Sequence, residues 1–148
     1  GNGKIVTVSS VAGLITVPLV SIYSATKHAL EGILSGLKTE LAGTGVEVCI
    51  VNPGGYATGF NDRAADTMQP WFDREKTFSS PELFAGLDAF LGGQLDPQPQ
   101  IDHLVRVIEE DDSKFRNVFP EEIIPWVRGV QDQAWEARRD DPIWNNPF

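Results

Sequence analysis

The chain has 148 residues, 41% of them hydrophobic and 22% charged, which is one domain's worth of sequence with enough apolar content to bury a core. Its net charge of −9 argues against nucleic acid and against an anionic membrane surface as partners. A single cysteine, Cys49, excludes an internal disulfide framework and a cysteine-based zinc site. No metal site is expected. The Val11 to Val20 stretch is broken by Gly13, Thr16 and Pro18, so no run approaches the ~20 apolar residues that span a bilayer. There is no signal-peptide pattern, and the expected compartment is a reducing cytoplasm. Residues 1–60 are neutral and rich in Gly and Ser, so all the net acidity lies in residues 61–148. That acidity reads as a solvated surface, and the neutral first part is where a site should be sought.

Lys4-Ile5-Val6-Thr7-Val8-Ser9 is a nearly continuous β-branched run. It predicts a strand buried on both faces, as in a parallel sheet. Gly13 and Pro18 bracket a loop, and from Ser21 the period becomes helical, with Leu30, Ile33, Leu34, Leu37 and Leu41 on one face. Gly43-Thr44-Gly45 stops that helix. Val46 to Val51 predicts a second strand, ended by Asn52-Pro53-Gly54-Gly55. Strand, helix, strand with short loops is a βαβ unit with parallel strands.

Asn61 to Ser79 reads as a loop or short helices. Ser80-Pro81-Glu82 predicts a helix start, with Ser80 as cap and Phe84, Leu87, Phe90 and Leu91 facing the core. A further helix is expected from Pro97 to Pro99 onward, with Ile101, Leu104, Val105 and Ile108 on its apolar face. Phe115 to Phe119 predicts a third strand. Pro120-Glu121-Glu122 opens a last helix carrying Ile123, Ile124, Val127, Val130 and Trp135, and Asp140 to Phe148 reads as irregular.

The chemistry-bearing residues cluster around the βαβ unit. Tyr23 and Lys27 are four apart at the start of the first helix and share a face. A free phenol titrates near ~10, and a neighbouring ammonium favours its phenolate. The pair could therefore give or take a proton. Ser10 follows the first strand and precedes Tyr23 by 13 residues. Its hydroxyl could hydrogen-bond the substrate oxygen that Tyr23 protonates, at the strand end where open α/β sheets place ligands. The alternative for Ser10 is a turn hydroxyl. Pro53-Gly54-Gly55 ends the second strand, where glycines would let the backbone approach a flat ligand. Thr58 offers a hydroxyl and a backbone N–H, or a plain helix cap. Cys49 is expected to be buried and inert, His28 to lie on the helix surface, and His103 to be isolated on a polar face. Trp71, Phe72, Phe78, Phe84 and Phe90 could line a substrate pocket or build the core.

Val8-Ser9-Ser10-Val11-Ala12-Gly13, Tyr23-Ser24-Ala25-Thr26-Lys27-His28-Ala29-Leu30 and Val51-Asn52-Pro53-Gly54-Gly55-Tyr56-Ala57-Thr58 together resemble the catalytic half of a short-chain dehydrogenase/reductase. The resemblance is strong over residues 1–60 and looser over 61–148. It implies the C-terminal part of a doubly wound, Rossmann-type parallel sheet in a three-layer α/β/α fold. The divisions would be a catalytic βαβ segment over 1–60, a substrate lid over 61–95, and C-terminal helices with the last strand over 96–148. It further implies an NAD- or NADP-dependent oxidoreductase interconverting an alcohol and a ketone or aldehyde. Ser10 would polarise the carbonyl, and Tyr23 would act as general acid–base. Lys27 would lower the tyrosine pKa and hold the nicotinamide ribose. Pro53, Gly54 and Thr58 would line the nicotinamide. A small-molecule substrate and a homo-oligomeric whole enzyme follow from the same resemblance.

The family's Gly-rich phosphate loop and its Asn-Ala-Gly motif have no counterpart in this sequence. Full domains of the family run to roughly 250 residues, so the chain reads as the C-terminal part of a longer enzyme. A non-catalytic structural or binding fragment is the alternative, whose first strand would present an open sheet edge. A Ser10–Lys27 hydrolase ranks last, since the sequence has no G-x-S-x-G elbow.

Overall fold

The computed structural model describes residues 2–68, 70–73 and 75–141. The irregular end expected from Asp140 falls mostly outside them. Three parallel strands, β1 (Gly3–Val8), β2 (Val46–Pro53) and β3 (Arg116–Phe119), lie side by side in chain order. Helix α1 (Ser21–Glu40) connects the first pair. Helices α2 (Phe60–Met68), α3 (Pro81–Gly92) and α4 (Gln98–Glu109) connect the second pair, and α5 (Ile124–Glu136) follows β3 after a short 3-10 turn.

The alternation of side chains along β2 builds the layers. Val48 and Ile50 pack with Leu34 of α1, joined by Leu37, Leu41 and Phe115. Cys49 and Val51 point the other way and pack with Val107 and Leu104 of α4 and Val6 of β1. Helices therefore cover both faces of a parallel sheet, which is the expected three-layer α/β/α arrangement. At the C-terminal end of β3, Val118 joins Val11, Ile15, Val127 and Val130 in a further apolar cluster.

β1 departs from its prediction. Ile5 and Val8 are 37% and 46% exposed, so the strand is not buried on both faces. It is the edge of this sheet and pairs only with β2 among the described residues. A β-branched run reports strand propensity but not the number of neighbours. α4 also turns a different stripe inward. Gln100 and Val107 are buried and Leu104 partly so, while Ile101, Val105 and Ile108 of the expected face are exposed. Its apolar residues form two neighbouring stripes, and packing on the sheet selects one. Ile33 of α1 and Trp135 of α5 are likewise exposed, although the predicted faces included them. Ser80 precedes α3 but makes no side-chain cap bond to it.

His103 is not isolated on a polar face. Its ring stacks on Phe119 with centroids 4.8 Å apart and planes 17° apart. Burial first, and then the Arg106 charge, pulls its pKa below the ordinary 6.5, against an opposite pull from Glu121 and Glu110. The unfolded chain thus takes up a proton near pH 6.5 before the folded one does, so this residue's contribution to stability falls as pH drops through 6.5. His103→Phe keeps the stack and should weaken the acid-induced drop in the urea unfolding midpoint between pH 7.5 and 5.5. An undiminished drop would exclude His103 as its source.

Candidate active site

The site is assembled where the three parallel strands end. Beyond β1, Ser9 N–H continues the ladder to Val51 O at 2.8 Å. Ser10 then turns the chain. Its Oγ accepts from Ala12 N–H at 3.1 Å and caps the 3-10 turn Val11–Gly13. The turn role that was the alternative for Ser10 is therefore real. A hydroxyl that accepts there still has its own hydrogen to donate.

Gly13 lets this turn press against α1. A Cβ at that position would sit 2.7 Å from Ser9 Oγ and 3.1 Å from the Lys27 carbonyl oxygen, so only glycine allows the approach. The contact sets the height of α1 over the strand end, and with it Tyr23 and Lys27. Lys27 Nζ donates to Val8 O, the last residue of β1, at 3.2 Å and stands 5.7 Å from the centre of the Tyr23 ring. Burial pushes the Lys27 pKa below the ordinary 10.5. Its two remaining N–H groups have capacity for a ligand. The Tyr23 ring lies 5.9 Å from the Phe60 ring of α2. The chain's other tyrosine, Tyr56, is buried, and its pKa is pushed up to about 12 by that burial and then by Glu122. It is thereby unsuited to proton transfer at neutral pH.

The loop after β2 is held from two sides. Gly54 N–H donates to Phe119 O of β3 at 2.9 Å. Leu95 N–H donates to Gly55 O at 3.0 Å, and Ala57 N–H returns the bond to Leu95 O at 2.9 Å. The expected access of a flat ligand to Gly55 is not free, because a Cβ there would run into the Phe90 ring of α3. The chain's own aromatic ring covers that glycine, and Gly54 is itself packed, since a Cβ there would sit 3.2 Å from Pro120 Cδ and 3.6 Å from Phe119 O. Thr58 is exposed. Its backbone N–H is already spent on Tyr56 O at 2.8 Å, while its Oγ1 accepts from Phe60 N–H at 3.4 Å. Of the two donors the sequence offered, only the hydroxyl is left.

Ser10, the Tyr23–Lys27 pair and Pro53 to Thr58 thus lie around the C-terminal ends of adjacent strands. Phe84 is buried core, and Phe72 packs against it at 5.4 Å, whereas Trp71 and Phe78 are exposed. Cys49 is a buried free thiol and His28 lies on the surface of α1. No cluster of metal-ligating side chains occurs among the described residues, and no helix there is long and apolar enough to cross a membrane. The sequence reading missed Asn52, Glu31 and Arg116, which form a polar chain beneath Ser10 that is buried at Asn52 and Glu31. The only signal for it was a glutamate one turn beyond Lys27 on the same helix face.

A parallel sheet sandwiched between helices, with polar residues gathered at its strand ends, defines the Rossmann-type α/β class. Residues 1–69 match the sequence model of the family described as short chain dehydrogenase. The Escherichia coli (strain K12) protein named uncharacterized oxidoreductase YbbO is 30% identical over 143 residues, covering 97% of this chain and 48% of its own length. The chain spans about half the length of the curated relatives it matches along most of its length. A short-chain dehydrogenase/reductase from Burkholderia phymatum, solved in complex with NAD, superposes with a TM-score of 0.68 at 23% identity. It covers 96% of this chain and 52% of the solved one. A short chain dehydrogenase from Burkholderia cenocepacia J2315, solved with NADP, superposes with a TM-score of 0.60 at 20% identity, covering 95% and 48%. At those identities the two structures establish the shared fold.

Proposed function

We propose that the whole protein is an NAD(P)-dependent oxidoreductase that interconverts an alcohol and a ketone or aldehyde, with Tyr23 moving the proton. The observation that carries this is the Tyr23–Lys27 pair, tied through Lys27 to the carbonyl of Val8 at the end of β1, two residues before Ser10. Lys27, Pro53, Gly54 and the Thr58 hydroxyl fit the nicotinamide half of the cofactor, which when bound would supply or accept a hydride. The solved NAD and NADP complexes of the same fold support that reading.

In reduction the Tyr23 hydroxyl donates its proton to the substrate carbonyl oxygen, and the Ser10 hydroxyl donates a hydrogen bond to the same oxygen. In oxidation the tyrosine oxygen takes the proton back. Lys27 favours the deprotonated tyrosine through its charge and can hold sugar hydroxyls with its spare N–H groups. Exposed Ile22 and Ile33 on α1 offer a surface for the homo-oligomer the family resemblance implies.

Titrating the whole protein with NADH and NADPH in a calorimeter tests the cofactor assignment. Binding of one or both is expected, and binding of neither removes it. Lys27→Ala should shift the alcohol-oxidation profile to higher pH, because the tyrosine loses the neighbouring charge that favours its basic form. An unchanged profile would leave Lys27 without that role.

A further inference from the structure

A chain of polar groups, buried at Asn52 and Glu31 and half-exposed at Arg116, runs beneath the site and crosses three elements. Asn52, at the C-terminal end of β2, is 0% exposed. Its Nδ2 donates to Ser10 O at 3.0 Å and to Glu31 Oε1 at 2.6 Å. Glu31, whose side chain is 9% exposed, accepts from Arg116 Nη2 of β3 at Oε2, 2.7 Å away. The orientation of the Asn52 amide is forced. Turned over, its oxygen would face the Ser10 carbonyl and the Glu31 carboxylate, both acceptors.

Holding a carboxylate in this interior costs solvation, and apolar residues of similar size would bind α1 to β2 at least as well. What apolar residues cannot supply is a donor aimed at the Ser10 carbonyl. Asn52 spends both of its N–H groups, one on Ser10 and one on Glu31. Glu31 lies one turn beyond Lys27 and two beyond Tyr23, on the same stripe of α1. The amide therefore references the backbone of Ser10 directly to the helix that carries Tyr23 and Lys27. Arg116 anchors the far oxygen of Glu31 and so keeps the near one facing Asn52.

We propose that Asn52, Glu31 and Arg116 are positioning residues that hold the Ser10 hydroxyl in register with Tyr23 and Lys27. The catalytic part rests on the role given to Ser10 in the proposed function. A misplacement of about 1 Å costs up to about a hundredfold in rate, so a relay of this kind matters even though none of its side chains touches substrate.

A polarity swap separates positioning from simple cohesion. Asn52→Asp alone sets one carboxylate against another and removes the donor to Ser10. Adding Glu31→Gln restores an amide–carboxylate bond between α1 and β2, now with the donor on α1, and the oxygen of the new amide still accepts from Arg116. Ser10 O, however, faces an acceptor in place of a donor. In the whole protein the double variant should recover the unfolding midpoint that Asn52→Asp loses. Its kcat should stay roughly tenfold down with KM little changed. Hydrogen exchange at Ala12 N–H, which donates to Ser10 Oγ, should be roughly tenfold faster than in the parent while exchange at Ile50 N–H returns to normal.

Recovery of kcat and of Ala12 protection together with stability would overturn the proposal. If the double variant does not fold, Arg116→Gln gives the same reading from the half-exposed end of the relay. Faster Ala12 exchange and lower kcat support the relay, and no change in either overturns it. Ser10→Ala keeps the two readings apart. Full turnover in Ser10→Ala would remove the catalytic role of Ser10, while Ala12 exchange in the Asn52 and Arg116 variants still decides whether the relay positions that residue.

Discussion

Tyr23→Phe should lower the turnover of the whole protein by at least about a hundredfold, within the 10²–10⁴ range typical of a lost general acid–base. The substitution removes one hydroxyl and keeps the ring, so the 5.9 Å contact with Phe60 survives. The half-buried position of Tyr23 in the first turn of α1 suits phenylalanine as well as tyrosine. The unfolding midpoint should therefore stay close to that of the parent. The chain's other tyrosine, Tyr56, cannot take over, since its hydroxyl is buried and its pKa is pushed up to about 12. Steady-state kinetics with an alcohol or ketone substrate, alongside a thermal melt, makes the check. A variant that keeps most of the parent rate would remove Tyr23 as the proton carrier.

Ile50→Ala should cost about 3 kcal/mol of stability, within the 2–5 kcal/mol range for truncating a buried isoleucine to alanine. Ile50 is 0% exposed and lies on the central strand, between Leu34 on α1 and the partly buried Leu37, Leu41 and Phe115. Its backbone N–H is also held by Phe115 O at 2.6 Å, so the strand cannot move to fill the space. The lost methyl groups would leave a cavity between sheet and helix. Val8→Ala on the edge strand, at 46% exposure, should cost less than about 1 kcal/mol and serves as the control. Urea denaturation of both variants measures the difference. Equal costs would mean that β2 is not the centre of the core.

How far the sequence carries can be read from particular residues. Strand β1, helix α1 and strand β2 were legible because each has a local signal: a β-branched run, an apolar 3.6 period, and a glycine stop at Gly43-Thr44-Gly45. The placement of Ser10, Tyr23 and Pro53 to Thr58 at one end of the sheet follows from strand direction alone, since parallel strands put all their C-terminal ends together. Phe90 over Gly55 was not legible. Both were named, but the loop and the helix are joined by backbone bonds between Gly55, Ala57 and Leu95 that no local pattern encodes.

The stripe of α4 that turns inward was equally beyond reach, because Ile101, Val105 and Ile108 are as apolar as the residues that won. Only contact with Cys49 and Val51 chooses between the two stripes. The Glu31–Asn52–Arg116 relay shows the limit most clearly. Asn52 and Arg116 meet Glu31 across 21 and 85 residues of chain. They do so because the β2–β3 register pairs Ile50 with Arg116 and Asn52 with Val118, which sends Asn52 and Arg116 to the α1 side of the sheet. By itself, then, the sequence determined the βαβ unit and the one-turn spacing of Tyr23 and Lys27, since propensity and helical spacing act over a few residues. The tertiary structure decided what is exposed, what covers the glycines and what holds Ser10, since those depend on register and packing between distant segments.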